Sequence, residues 1–206
     1  MLRVLGRANS VNVQKVMWLV DELGLKVERV DVGGKFGGND TAEYKAKNPL
    51  GLVPVLEDGD YVIWESQAIV RYLADAYGKA PWQPADAKTR GHANQWMDFY
   101  LSNLHPHMTT IFWQLIRTPE DKRDTAALEA AKEKARGFWS VLDKHLADKP
   151  FVTGKDLTIG DIPCGCAAYR WHTLVPDGPA LPNLRAWWDR LNSRPAYKKN
   201  VMLPLT

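Results

Sequence analysis

The chain has 206 residues, 45% of them hydrophobic and 25% charged, with a formal net charge of +3. That length suits one large domain or two modest ones. No apolar run approaches the roughly 18 residues that span a bilayer, and so small a net charge leaves no nucleic-acid footprint, so neither a membrane nor a nucleic acid is expected as a partner. The opening residues 1–7 lack the apolar core of a secretory leader, which makes the cytoplasm the expected compartment. Cys164 and Cys166 are too few for a disulfide framework. Charge is uneven along the chain: residues 1–80 carry 10 Lys/Arg against 11 Asp/Glu, and residues 81–206 carry 17 against 13.

In chain order, Leu2–Leu5 reads as a strand. Val13, Val16, Val20 and Leu23 recur at spacings of three, four and three, one face of a helix that should stop at Gly24. Residues 27–32 form a second β-rich run, so the chain opens β-α-β. The glycine-rich residues 33–40 read as a loop. Val55-Leu56 and Tyr61–Trp64 flank an Asp-Gly turn, a strong hairpin signal. A helix is expected from Ser66 with Ile69, Tyr72, Leu73 and Ala76 on one side. The order β-α-β then β-β-α suits a small mixed sheet with helices packed on it.

Pro and Gly then punctuate residues 79–86, which read as a linker between a first domain at 1–78 and a second at 87–206. Beyond the linker the strand pattern disappears. Leu128, Ala131, Ala135, Phe138 and Leu142 keep helical spacing, and the second domain is expected to be all-helical.

Two segments carry the chemistry. In "NPLGLVPVLEDGD", starting at Asn48, Pro54 cannot donate to a strand ladder and marks a strand start or a kink. A cis bond there would turn Val53 so that its N–H and C=O face outward, ready to pair with an extended peptide. In "WESQAIVRYLADAYG", starting at Trp64, Glu65 and Ser66 stand at a strand-to-helix junction, where free N–H groups and the helix dipole favour a carboxylate. Ser66 would donate to that carboxylate and Glu65 would hold an ammonium group, a receptor for an α-amino acid head. The plain alternatives are a strand-opening proline and an N-capping serine.

Together these segments resemble the glutathione-binding half of cytosolic glutathione transferases, of the serine-type (theta-like) bacterial kind. The likeness continues through "LTIGDI" at 157–162, similar to the family's capping box and hydrophobic staple, and "LPNLRAWWDRLNSRPAY" near the end. It implies a thioredoxin-like first domain followed by an all-helical one, an enzyme that transfers glutathione to a small apolar electrophile, and a cytosolic homodimer. Glutathione would be a co-substrate; no cofactor and no metal are expected. Val53, with Pro54, would pair with the cysteinyl backbone of glutathione, and Glu65 and Ser66 would bind its γ-glutamyl end. Lys35 and Asn39 lie in a loop that resembles regions contacting the glycyl carboxylate. Tyr100 and Trp113 would contact the second substrate.

Glutathione must react as its thiolate. A thiol of pKa about 8.5 needs a shift of roughly 1.5 units, or about 2 kcal/mol, to be half ionised at neutral pH. One hydrogen bond to the charged sulfur, worth about 1.5–3 kcal/mol, is enough. Residues 6–13, between the first strand and first helix, contain neither Tyr nor Cys. Ser10 fits the serine of the theta-like members, with Asn12 and Asn9 as neighbouring amide donors that could assist or replace it; Ser10 or Asn12 could instead only cap the helix. Two other activities suit the same residues: glutathione-dependent disulfide or peroxide reduction or isomerisation, and non-catalytic ligand binding. His105-Pro106-His107 and His92 lack nearby carboxylates or thiolates and do not read as a metal site.

Overall fold

A computed structural model describes residues 1–178 and 180–206. The chain divides into two compact units, one formed by Met1–Gln83 with Ala196–Leu203 and the other by Pro84–Pro195 with Pro204–Thr206.

In the first unit, β1 (Leu2–Leu5) is followed by α1 (Val11–Glu22), β2 (Val27–Val30), α2 (Ala42–Lys47), β3 (Val55–Asp58), β4 (Tyr61–Trp64) and α3 (Ser66–Tyr77). The sheet order is β2-β1-β3-β4, with β1 and β2 parallel and the other pairs antiparallel. This is the thioredoxin-like arrangement expected. The helix α1 ends with Gly24 at φ 65°, the left-handed conformation that commonly terminates helices. β2 is shorter than residues 27–32, although the Arg7 N–H still donates to Val32 C=O at 3.0 Å. β3 runs on to Asp58, which pairs directly with Tyr61, so only Gly59 and Asp60 make the turn.

The buried face of α3 is Ile69, Val70, Leu73 and Ala74, all fully enclosed. This differs from the expected face: Ala76 is exposed, and Tyr72 is half-buried with its hydroxyl donating to Asp58 at 2.7 Å. Full burial stabilises each large aliphatic side chain by about 1.5–3 kcal/mol, so the tyrosine's polar end is better spent at the edge. The short helix α2 was not expected. Thr41 caps it by accepting from the Tyr44 N–H at 3.2 Å, and an ion pair from Lys47 to Glu57 at 2.9 Å ties it to β3. Burial pushes the Glu57 carboxyl up, but Lys47 and Arg3 outweigh that and hold it below its ordinary range.

The segment Ala196–Leu203 packs on α1. Tyr197 is fully buried with its ring 4.8 Å from that of Trp18, Lys199 pairs with Asp21 at 2.8 Å, and Asn200 donates to Asp21 at 2.7 Å.

The second unit is helical: α4 (Ala87–Phe99), α5 (His105–Phe112), α6 (Thr125–His145), α7 (Asp161–Leu174) and α8 (Pro182–Asn192), with α9 (Pro195–Asn200) leading out of it. Asp86 caps α4 through the Thr89 N–H at 2.8 Å. Two π-helical turns, Tyr100–Leu104 and Trp113–Arg117, flank α5. On α6 the core face is Leu128, Ala131, Ala135, Trp139 and Leu142. Trp139 replaces the expected Phe138, which is half-buried against the rings of Phe99 and His107. No helix among the described residues is long and apolar enough to cross a membrane.

The expected capping box holds this unit together. Asp161 is fully buried and accepts from the N–H groups of Val152 (2.9 Å) and Thr158 (3.0 Å) and from the Trp187 indole (2.9 Å). Thr158 accepts from the Gly160 N–H at 3.3 Å. Leu157 and Ile162 are both buried.

Candidate functional site

The peptide bond between Val53 and Pro54 is cis. The turn before it is clamped from one side. The Leu52 C=O accepts from the Tyr44 hydroxyl and from the Asn48 amide, each at 2.8 Å, while Asn48 Oδ1 takes the Leu50 N–H at 3.0 Å. Asn48 is 2% exposed, and burial pushes the Tyr44 hydroxyl up to about 12, so it stays a donor. Neither the N–H nor the C=O of Val53 is bonded among the described residues. Its side chain packs on the Leu5, Tyr44 and Val55 cluster, leaving the main chain as the available edge. Tyr44 and Asn48 were missed as site-builders; Asn48 opens the recognised motif, but nothing in the spacing pairs it with Leu52.

Two close approaches bring other segments to this edge. A Cβ on Gly6 would lie 3.2 Å from Val53 Cβ and 2.5 Å from Val13, so only glycine lets the end of β1 pass here. A Cβ on Gly33, at φ 82°, would lie 3.3 Å from both Arg7 Nη1 and Val53 Cγ1, and 3.8 Å from Asn39 Oδ1. Arg7, Val53 and Asn39 therefore converge around Gly33. Arg7 is a cation that sequence reading did not single out. Asn39 is already engaged, donating to the Gly51 C=O at 2.8 Å, so it shapes the loop. Lys35 is exposed, with its ammonium 5.1 Å from the Phe36 ring centre.

At the β4–α3 junction, Glu65 has φ 73° and ψ 110°, the one non-glycine residue at positive φ among those described. A left-handed conformation costs an L-residue roughly 1–2 kcal/mol. Such strain persists where a position is held for a purpose. Glu65 is exposed, and its side chain does not cap α3. Ser66, 6% exposed, is the first residue of α3, so its side chain stands among unsatisfied N–H groups. Its hydroxyl donates to Asn12 Oδ1 at 3.5 Å.

Ser10 precedes α1 with extended backbone, and its side chain makes no capping bond. The capping alternative is therefore not realised for Ser10, and its hydroxyl is bonded to no group among the described residues. Asn12, in the first turn of α1, faces Ser66 and accepts from Lys15 at 2.9 Å.

In the helical unit, Tyr100 is 1% exposed and hydrogen-bonded to His105 Nδ1 at 3.0 Å, so its ring lies inside the unit. Trp113 is 58% exposed. Both open π-helical turns, a feature that recurs at functional sites. Cys164 and Cys166 are buried thiols. Among the described residues no group of three or more His, Cys, Asp or Glu could hold a metal ion.

An unpaired main-chain edge at Val53, an acid-and-hydroxyl pair at a helix start and an uncapped serine ahead of α1 stand in a thioredoxin-like domain that is followed by a helical one. The family model "Glutathione S-transferase, N-terminal domain" matches residues 1–75, and "Glutathione S-transferase, C-terminal domain" matches residues 104–195. The chain is 38% identical over 209 residues to glutathione S-transferase GstB of Escherichia coli K12, covering 100% of both. It is 30% identical to glutathione S-transferase 3 of Zea mays, covering 97% of this chain and 93% of that one. A crystal structure of the theta class glutathione S-transferase from Xanthomonas axonopodis pv. citri with glutathione bound superposes with a TM-score of 0.96 at 42% identity, covering 100% of this chain and 99% of that one. This protein belongs to the glutathione S-transferase family, a family of transferase enzymes.

Proposed function

We propose that residues 1–78 bind glutathione and that Ser10 ionises its thiol for attack on a small apolar electrophile, with residues 87–206 supplying the second-substrate domain. The observation that carries the reading is the Glu65–Ser66 junction, where a strained, exposed carboxylate and a buried hydroxyl stand side by side at a helix start. Glu65 takes the γ-glutamyl ammonium and Ser66 the adjoining carboxylate. The open main chain of Val53, ahead of Pro54, pairs with the cysteinyl unit. Arg7, beside Gly33, and exposed Lys35 offer positive charge to the glycyl carboxylate. Exposed Trp113 is the electrophile contact. The thiol proton passes to solvent, the thiolate sulfur bonds to the electrophilic carbon, and the leaving group departs with its electron pair.

Exposed Tyr61 and Tyr77, each packed against Tyr72, support a homodimer. Calorimetric titration with glutathione, followed by assay against an aryl halide, a hydroperoxide and a mixed disulfide, tests the reading. Binding with conjugation of the aryl halide is expected; binding with silence across the panel would make this a ligand-binding protein. A second expectation isolates the junction. Glu65→Gly should unfold no more easily than the parent, because glycine relieves the positive φ. It should bind glutathione about tenfold more weakly, the loss expected for one charge-assisted hydrogen bond. Equal affinity in calorimetry would remove Glu65 from the site.

A further inference from the structure

Lys15 is 1% exposed, although lysine is almost never enclosed. It lies one turn after Asn12 on α1, and its ammonium donates to Asn12 Oδ1 at 2.9 Å. The same oxygen receives the Ser66 hydroxyl at 3.5 Å. An ammonium can only donate, so the carboxamide oxygen must face Lys15 and the two N–H groups of Nδ2 must face the other way. Those N–H groups have no acceptor among the described residues. Released from the ammonium, the amide could turn over, giving its N–H to the Ser66 oxygen and presenting its own oxygen outward.

Resting on the glutathione-binding reading above, we propose that Lys15 is a positioning residue that locks the Asn12 amide with its N–H groups toward the γ-glutamyl carboxylate, beside Ser66. Asn12 thereby belongs to the carboxylate end of the site, and thiol activation is left to Ser10. Loss of Lys15 exposes an incoming carboxylate to an oxygen where a donor had stood. The device makes the site selective for an anion at this point without placing a mobile charge in contact with it.

The test is a double-mutant cycle of Lys15→Met and Asn12→Ala, read by calorimetric glutathione affinity and by steady-state kinetics with the aryl halide. Each single variant should weaken glutathione binding about tenfold and raise its KM to match, with kcat within about twofold of the parent. The double variant should be no weaker than Asn12→Ala alone. Additive losses would overturn the proposal, since Lys15 would then act through packing or its field. Unchanged affinity in Lys15→Met, or a fall in kcat at constant KM, would overturn it too. Should Lys15→Met fail to fold, Asn12→Asp keeps an oxygen for Lys15 and Ser66 but replaces the donor with an acceptor. It should bind glutathione roughly 100-fold more weakly, and parental affinity would overturn the proposal. A parent protein that binds no glutathione would instead overturn the functional reading itself.

Discussion

Exchanging Ser10 for alanine should raise the thiol pKa of bound glutathione by about 1–2 units and lower kcat at neutral pH roughly 10- to 100-fold, while glutathione affinity changes little. The magnitude follows from a single hydrogen bond to a charged sulfur, about 1.5–3 kcal/mol, at 1.36 kcal/mol per unit. The structure supports the assignment because the hydroxyl of Ser10 is not consumed in capping α1. A capping serine would make the same substitution a stability defect of about 1 kcal/mol with no pH signature. The helix dipole of α1 adds a further ~0.3–1 kcal/mol and survives the substitution, so some thiolate remains. Ultraviolet absorbance of the bound thiolate against pH, alongside kcat, measures both effects. An unchanged rate would move activation to Asn12 or to a main-chain N–H of α1.

Asp161→Ala should abolish cooperative folding of the helical unit. Three buried N–H donors, from Val152, Thr158 and the Trp187 indole, converge on this carboxylate. Leaving each without an acceptor costs about 1–3 kcal/mol, and the sum rivals the ~5–15 kcal/mol stability of a whole domain. Asp161→Asn keeps one accepting oxygen but turns an N–H toward the donors, and should lose about 2 kcal/mol. Burial pushes the Asp161 carboxyl up to about 6, against the pull of its Thr158, Val152 and Trp187 bonds. A raised pKa means that ionisation is harder in the folded state. The group's contribution to stability is therefore greatest below about pH 4 and declines as pH rises through about 6. That slope should vanish in Asp161→Asn, and thermal unfolding of both variants between pH 4 and 8 checks the sign. Parental stability of Asp161→Ala would refute the account.

The order of elements and the helical second half were legible because their signals are periodic and local: alternating apolar runs, an Asp-Gly turn, three-four spacing. The helix α2 was not, because six residues with one buried side chain, Tyr44, show no period. On α6, Phe138 and Trp139 are neighbours of similar character, and only packing decides that Trp139 turns inward. In the proposed site, Val53, Glu65 and Ser66 were singled out from their motif. Asn48 and Lys15 are enclosed although their residue types disfavour burial, Tyr44 reaches its partner across a turn, and Arg7 meets Gly33 from a distant segment, none of which a local pattern shows. Tyr100 shows the converse: an aromatic expected at the second substrate is enclosed, here bonded to His105. Asn39, also expected in the site, has its amide engaged by the Gly51 C=O.

The return of Ala196–Leu203 to α1 has a consequence for the order of assembly. Trp18 and Asp21 belong to a helix that precedes the helical domain in the chain, yet their partners Tyr197, Lys199 and Asn200 follow that domain. During synthesis the first domain therefore waits with one apolar flank of α1 uncovered, and becomes complete only after the helical domain has been made. A chain stopped just short of residue 196 would leave its damage in the half it finished first.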